Sequence, residues 1–299
     1  MIFMKKCKAQ FTLLLICCFS GSPIIAQKLE ANMSFVVSME KPASQYYHVV
    51  LKCTRLKGQQ QDLKIPAWTP GYYQIMDYAK SIENFAVSKD IEWHKTSANT
   101  FSVHNKSATT ITVSYDVKAS TQFVADAYLD ETRGYIVPGA LFLYLDNELR
   151  NPVTVQLKPY KAWKNIVATG LDSIPGKQHT FYAADFDVLY DSPLLMGELE
   201  ELPAFYVKGK PHYFIGYKLG EFDRKQFVAD LKKIVESSAA IIGDIPYSHY
   251  TFLAIGPGRG GIEHLNSTSL SFSNGEGFDS PEARKRLYSF IAHEYFHHY

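Results

Sequence analysis

Between residue 31 and about residue 170, apolar and polar residues alternate in short runs separated by turn-forming residues. Residues 47–53 (YHVVLKC), 111–117 (ITVSYDV) and 153–157 (VTVQL) are the clearest of these runs. A period of two with turns between runs predicts antiparallel sheets, arranged as a sandwich. Asp191-Ser192-Pro193 and Leu202-Pro203 then punctuate a change of character. Over 222–242, Phe227, Leu231, Ile234, Val235 and Ala239 fall near helical spacing, with Asp223 as a candidate cap. Gly243 and Pro246 end that helix. Residues 250–255 read as a strand, 256–261 as a loop and 270–272 as a short strand. Ser280 as N-cap and Pro281 at the first helical position open a last helix, which runs towards Tyr299. The expected fold class is α+β: a β-rich first half followed by an α/β segment, with no internal repeat and no low-complexity tract.

Composition fits a globular chain of one large domain or two ordinary ones: 299 residues, 46% hydrophobic, 20% charged and 14% aromatic. A formal net charge of +1 excludes a strong field for nucleic acid or for an anionic membrane. The N-terminus changes the picture. Lys5, Lys6 and Lys8 precede an uncharged apolar run over 11–19, which Ser20 to Pro23 break before Ile24-Ile25-Ala26. That is the layout of an export signal, with cleavage expected after Ala26. The run is too short to span a membrane. Cys17 and Cys18 lie at lipobox depth, but Ile16 is too large for that signal. Removal of residues 1–26 takes Cys7, Cys17 and Cys18 with it, leaves Cys53 alone, and moves the formal charge from +1 to −2. The mature protein is thus expected in the periplasm or outside the cell, with no internal disulfide and no integral membrane segment.

The chemistry concentrates near the end of the chain. His293-Glu294-Tyr295-Phe296-His297 is an H-E-x-x-H motif on a predicted helix. Residues at i and i+4 share one face, so both imidazoles can reach one ion, and Glu294 stands beside that face as a general base. Zinc suits such nitrogen ligands, and in catalytic sites it keeps a position open for the reaction. The plain alternative is a solvated polar helix end. Against it, Leu287, Phe290, Ile291 and Ala292 read as a buried helix, which has no structural reason to place two histidines and a glutamate in its next turn. His298 is off the metal-facing stripe. A third protein ligand is required; Glu263 or His264 could serve in principle, though each has a better reading below, and none follows before Tyr299, so the chain is expected to be a C-terminally truncated fragment, inactive by itself.

About thirty residues earlier stands Gly260-Gly261-Ile262-Glu263-His264-Leu265-Asn266-Ser267. Glycines permit close approach of a substrate backbone, and a carboxylate there can pair with a peptide's free α-ammonium. Gly260, Gly261, Glu263 and His264 are therefore candidate substrate-binding residues. A surface hairpin with incidental Glu and His is the alternative.

The chain resembles the glycyl aminopeptidase family of zinc metallopeptidases, thermolysin-like gluzincins that often carry a PDZ domain. The resemblance runs from about Ala31 to the end. It rests on Pro66-Ala67-Trp68-Thr69-Pro70-Gly71-Tyr72-Tyr73 with Asp77-Tyr78-Ala79-Lys80, on Tyr190-Asp191-Ser192-Pro193, on Gly260-Gly261-Ile262-Glu263-His264 and on His293 to His297. It implies an N-terminal antiparallel β-sandwich domain (27–200) followed by the first part of a truncated thermolysin-like α/β metallopeptidase domain (201–299). It further implies His293 and His297 as zinc ligands, Glu294 as general base and Glu263 as the residue that holds the substrate's N-terminus. The family's third ligand is a Glu on a following helix, absent here, and Tyr299 stands where such proteins usually carry Trp. For residues 68–73, packing at a sandwich edge is the structural reading, and a wall of the substrate cleft is the functional one.

The activity so implied is removal of N-terminal Gly or Ala from peptides by an exported zinc aminopeptidase. An endopeptidase would not need Glu263 and would cleave N-blocked peptides. A non-catalytic peptide- or protein-binding sandwich with an incomplete metal site is the reading from another class. The intact Glu294 argues against it.

Overall fold

The computed structural model describes residues 31–88, 91–164 and 166–299. Residues 1–26, where an export signal is expected and three of the four cysteines stand, lie outside the described residues.

The largest sheet has seven strands in the order Asp172–Ser173, Thr180–Ala183, Val153–Lys158, Met33–Ser38, Tyr46–Thr54, Thr110–Lys118 and Ile82–Val87. The period-two pattern makes this sheet. In Tyr46–Thr54 every second side chain (Tyr47, Val49, Leu51, Cys53) is fully buried, and the residues between them face outward. Burial pushes the Cys53 thiol up to about 12, with Glu148 adding to the shift, so this cysteine packs the core and is no nucleophile. The sheet departs from the antiparallel expectation at one place: Met33–Ser38 runs parallel to Val153–Lys158, with Met33 opposite Val153. The two strands are joined through most of the N-terminal half, not by a hairpin, and only such a long connection permits parallel pairing.

Two four-stranded sheets accompany it. One has the order Tyr144–Leu145, Gln60–Lys64, Thr100–His104, Glu92–Ser97; the other has Val167–Thr169, Leu194–Gly197, Arg133–Ile136, Tyr128–Leu129. The N-terminal half thus holds three sheets around one core.

A five-stranded sheet follows: Leu199–Glu201, Lys210–Tyr217, Tyr250–Glu263 and Ser267–Phe272 in that order, with Phe205–Val207 also paired to Lys210–Tyr217. Alternation here feeds two cores. Ile215, Tyr217, Leu253 and Ile255 join the first core. Phe214, Tyr250, Phe252 and Ala254 join a second core with Phe227, Leu231, Val235 and Ala239 of the helix Arg224–Ile242 and with Ile291 and Tyr295 of the final helix Pro281–Phe296. This sheet is therefore the wall shared by the two halves, and it carries the glycine-rich segment.

The helix ends fall where their caps put them. The Asp223 carboxylate accepts the Gln226 N–H at 2.9 Å, and Gly243 closes the helix in the left-handed region at φ 95°. The Ser280 hydroxyl accepts the Ala283 N–H at 3.1 Å. The final helix lies nearer the surface than its apolar residues suggested. Ile291 is fully buried, whereas Leu287, Phe290 and Ala292 are only partly covered. Among the described residues, no helix is long and apolar enough to cross a membrane.

Candidate active site

The phase of the final helix is set by its buried residues. Ile291 and Tyr295, four apart, point into the second core. At about 100° per residue this turns 293 and 297 to the opposite, outer face and leaves 294 on the flank. His293 and His297 are accordingly exposed, and Glu294 is 7% exposed. Beneath them the Tyr295 hydroxyl pairs with Tyr247, and Tyr247 lies 2.8 Å from Nε2 of buried His212. A polar chain thus anchors the turn that carries the motif.

The two imidazoles converge. Their Nε2 atoms are 3.0 Å apart, with ring centroids at 4.5 Å and planes at 87°. Two ligands of a tetrahedral zinc ion would stand about 3.3 Å apart, given Zn–N distances of about 2.0–2.1 Å. Type and spacing of these donors fit a zinc ion. Among the described residues, no group of three or more His, Cys, Asp or Glu is placed to hold a metal, so the pair supplies two ligands.

Glu294 stands between this face and the glycine-rich arm. Burial first, then the charge of Glu263, hold its carboxyl above the ordinary glutamate range, while His293, His297 and His264 pull the other way. Gly261 is what allows this proximity. A side chain there would come within 2.8 Å of Phe290 Cζ and 3.2 Å of Glu294 Cδ.

The stretch over 256–261, expected as a loop, is part of the extended course of Tyr250–Glu263. Thr251 to Ala254 pair with Ser267 to Leu270 in step. The chain then turns back, and the partners run in the opposite order: Gly261 faces Leu270, Ile262 faces Ser269 and Glu263 faces Thr268. Glu263 therefore ends a short arm and is half-buried beside Glu294.

His264 follows a different course. Its side chain is 3% exposed, and its Nδ1 lies 2.8 Å from Asp191 Oδ1. A carboxylate only accepts, so Nδ1 carries the proton of this bond. Its Nε2 is buried without a protein partner. The imidazole thus points into the protein, against the N-terminal half. Asp191 also accepts the Leu265 N–H at 2.9 Å.

The aromatic loop after Pro66 reaches the same place. Gly71 sits at φ 75°, and a Cβ on it would collide with Ile262 Cγ2 and lie 3.2 Å from Glu263 Oε2. Trp68 packs edge-on to Tyr190 at 6.3 Å, and Tyr72 edge-on to Phe123 at 5.1 Å. The loop both packs and borders Glu263. Asp191 is the residue that sequence reasoning left without a role. Its only signal was membership of the Tyr190-Asp191-Ser192-Pro193 motif, and nothing local ties it to a histidine seventy-three positions later.

Comparison with known proteins bears on the fold and the family. The structure superposes with a TM-score of 0.81 on an aminopeptidase N family protein from Idiomarina loihiensis, at 27% identity, covering 89% of this chain and 47% of that one. Aminopeptidase A of Legionella pneumophila, crystallised with aspartic acid, matches at a TM-score of 0.54 and 14% identity over 89% of this chain and 34% of its own. The second likeness shows the fold alone. The chain spans about half the length of the first relative and about a third of the second. No curated protein matches the sequence. The model of the peptidase M61 N-terminal domain matches residues 34–198, more than half of the chain, and the protein belongs to that family.

Proposed function

We propose that this chain carries the amine-binding residue, the general base and two zinc ligands of an exported zinc aminopeptidase that removes small N-terminal residues, Gly or Ala, from peptides. The observation that carries the reading is the convergence of the His293 and His297 Nε2 atoms at 3.0 Å beside a buried glutamate of raised pKa. The preference for small residues and the exported location rest on the family resemblance and on the leader over 1–26.

In this reading His293 and His297 would hold the ion. Zinc, when bound, supplies the Lewis acidity that polarises the scissile carbonyl and acidifies water. Glu294 takes a proton from the attacking water and returns it to the leaving amine; the upward shift of its pKa favours holding that proton between the two steps. Glu263 pairs with the substrate's α-ammonium and so measures a free N-terminus. Gly260, where a side chain would stand in open space, leaves the arm bare for the peptide backbone, and Gly261 makes room for Glu294.

The test is zinc content and hydrolysis of Gly- and Ala-anilides by the full-length gene product, beside Glu294→Gln. Stoichiometric zinc, with turnover lost in the variant by about a thousandfold or more, supports the assignment. Absence of both zinc and turnover in the unaltered protein would replace it with a peptide-binding module.

A further inference from the structure

The 263–267 turn is held from outside its own sheet. The Asp191 carboxylate takes two neighbours of Glu263 at once: Nδ1 of His264 at 2.8 Å through Oδ1, and the N–H of Leu265 at 2.9 Å through Oδ2. Asn266 Nδ2 donates to the Gly170 carbonyl at 2.8 Å, and the Gly71 loop rests on Ile262 and Glu263. Asp191, Gly170 and Gly71 all lie in the matched N-terminal domain, whereas Glu263 lies beyond it. Asp191 is itself fixed. It closes the short helix Phe186–Tyr190, its N–H donating to the Asp187 carbonyl at 3.1 Å, and the Asp185 carboxylate caps the same helix.

From this geometry we infer that Asp191 is a positioning residue for the aminopeptidase reaction. By holding His264 and Leu265 it sets where the Glu263 carboxylate stands, and so where the substrate's α-ammonium docks. The inference rests on the amine-binding role proposed for Glu263. Bonds to a charged acceptor are stronger than neutral ones, and here two of them hold the two residues that follow Glu263. Without them, His264 would be left buried with neither nitrogen bonded, and the turn would lose its tie to the N-terminal domain.

The experiment is a double-mutant cycle in the full-length enzyme, reading KM and kcat separately on an alanyl anilide, with zinc content and melting temperature recorded for each variant. Glu263→Gln should raise KM. Asp191→Ala should raise KM about tenfold with a much smaller change in kcat, the size expected for losing one or two charge-assisted bonds. Asp191→Asn, whose amide oxygen still accepts the Leu265 N–H, should raise it about threefold. The double variant Asp191→Ala/Glu263→Gln should be no worse than Glu263→Gln alone, because both changes act on one contact. A residue that only stabilises the fold would lower the melting temperature and leave KM in place. Unchanged KM in the Asp191 variants, or a KM effect that multiplies with that of Glu263→Gln, overturns the inference. Should Asp191→Ala fail to fold, the near-isosteric Asp191→Asn runs the same cycle and separates the same outcomes. If Glu263→Gln alone leaves KM unchanged, the amine-binding reading itself has failed, a result distinct from the others.

Discussion

The two halves of the candidate site are built in opposite ways. The Glu263 turn is clamped by tertiary contacts: Asp191 on His264 and Leu265, Asn266 on Gly170, Gly71 against the strand arm. The histidine pair stands on the outer face of a helix, where the two Nε2 atoms contact each other. Only the buried side of that turn, through Tyr295, Tyr247 and His212, is braced. The Glu263 half is thus held by contacts on the turn itself, and the histidine half by helix periodicity and a brace on the far face of the helix. It follows that changes at the histidines should cost function without stability, and changes around the turn should cost both.

The sharpest way to break that contrast is His297→Ala. Its side chain is exposed, so the melting temperature of the metal-free protein should move by no more than about 0.5 kcal/mol equivalent. In the full-length gene product zinc binding and turnover should be lost, since the change removes one of the three protein ligands that a catalytic zinc site needs. Zinc content by atomic emission, with a thermal melt in chelator, reads both. A large loss of apo stability would mean that the pair has a structural duty the geometry does not reveal.

The brace beneath the helix gives the second effect. His212 is fully buried; its Nδ1 lies 3.0 Å from the Lys210 carbonyl and its Nε2 faces the Tyr247 hydroxyl. Burial, with the nearby His298 adding, lowers its pKa from 6.5 to about 4. The unfolded chain therefore takes up this proton more readily than the folded one. The stability it contributes is present above pH 6.5 and is lost as pH falls through this window towards 4. Between pH 7 and pH 5 the loss should be about 2 kcal/mol. Asp126, raised by burial to about 6, acts in the opposite direction over the same window, so the effect is read as the difference between the unaltered protein and His212→Gln in thermal melts at the two pH values. Equal slopes in both proteins would place the acid sensitivity elsewhere.

Much of this could be read before any coordinates, where the cause is local. Alternation over 47–53 and 111–117 located two strands to within a residue of Tyr46–Thr54 and Thr110–Lys118. Asp223, Gly243 and Ser280 marked helix ends because capping is chemistry of near neighbours. The i, i+4 spacing put both histidines on one face. What escaped depends on contacts far apart in sequence. The parallel pairing of Met33–Ser38 with Val153–Lys158 has no local signature. Glycines over 256–261 argued for a loop, because propensity cannot register that Leu270 and its neighbours offer partners on both sides. The bond between His264 and Asp191, seventy-three positions apart, has no local signature either. The Trp68 to Tyr73 loop admitted two roles because only the fold brings Gly71 to Glu263.

The subtlest sharpening compares two glycines that share a backbone strain and differ in surroundings. Gly243 (φ 95°) and Gly71 (φ 75°) both occupy the left-handed region. A methyl group on Gly243 meets nothing within 4 Å, so Gly243→Ala should cost only the conformational penalty, about 1 kcal/mol. On Gly71 the same methyl group collides with Ile262 and crowds the Glu263 carboxylate. Gly71→Ala should therefore cost about 1 kcal/mol more, the lower end of what overpacking brings. It should also raise KM for a free-amine substrate, as Gly243→Ala should not. Denaturant melts and steady-state kinetics on the pair separate the two contributions. If KM stays put in Gly71→Ala despite the lost stability, the loop merely packs, and the turn takes its geometry from Asp191 and Gly170 without help from the aromatic segment.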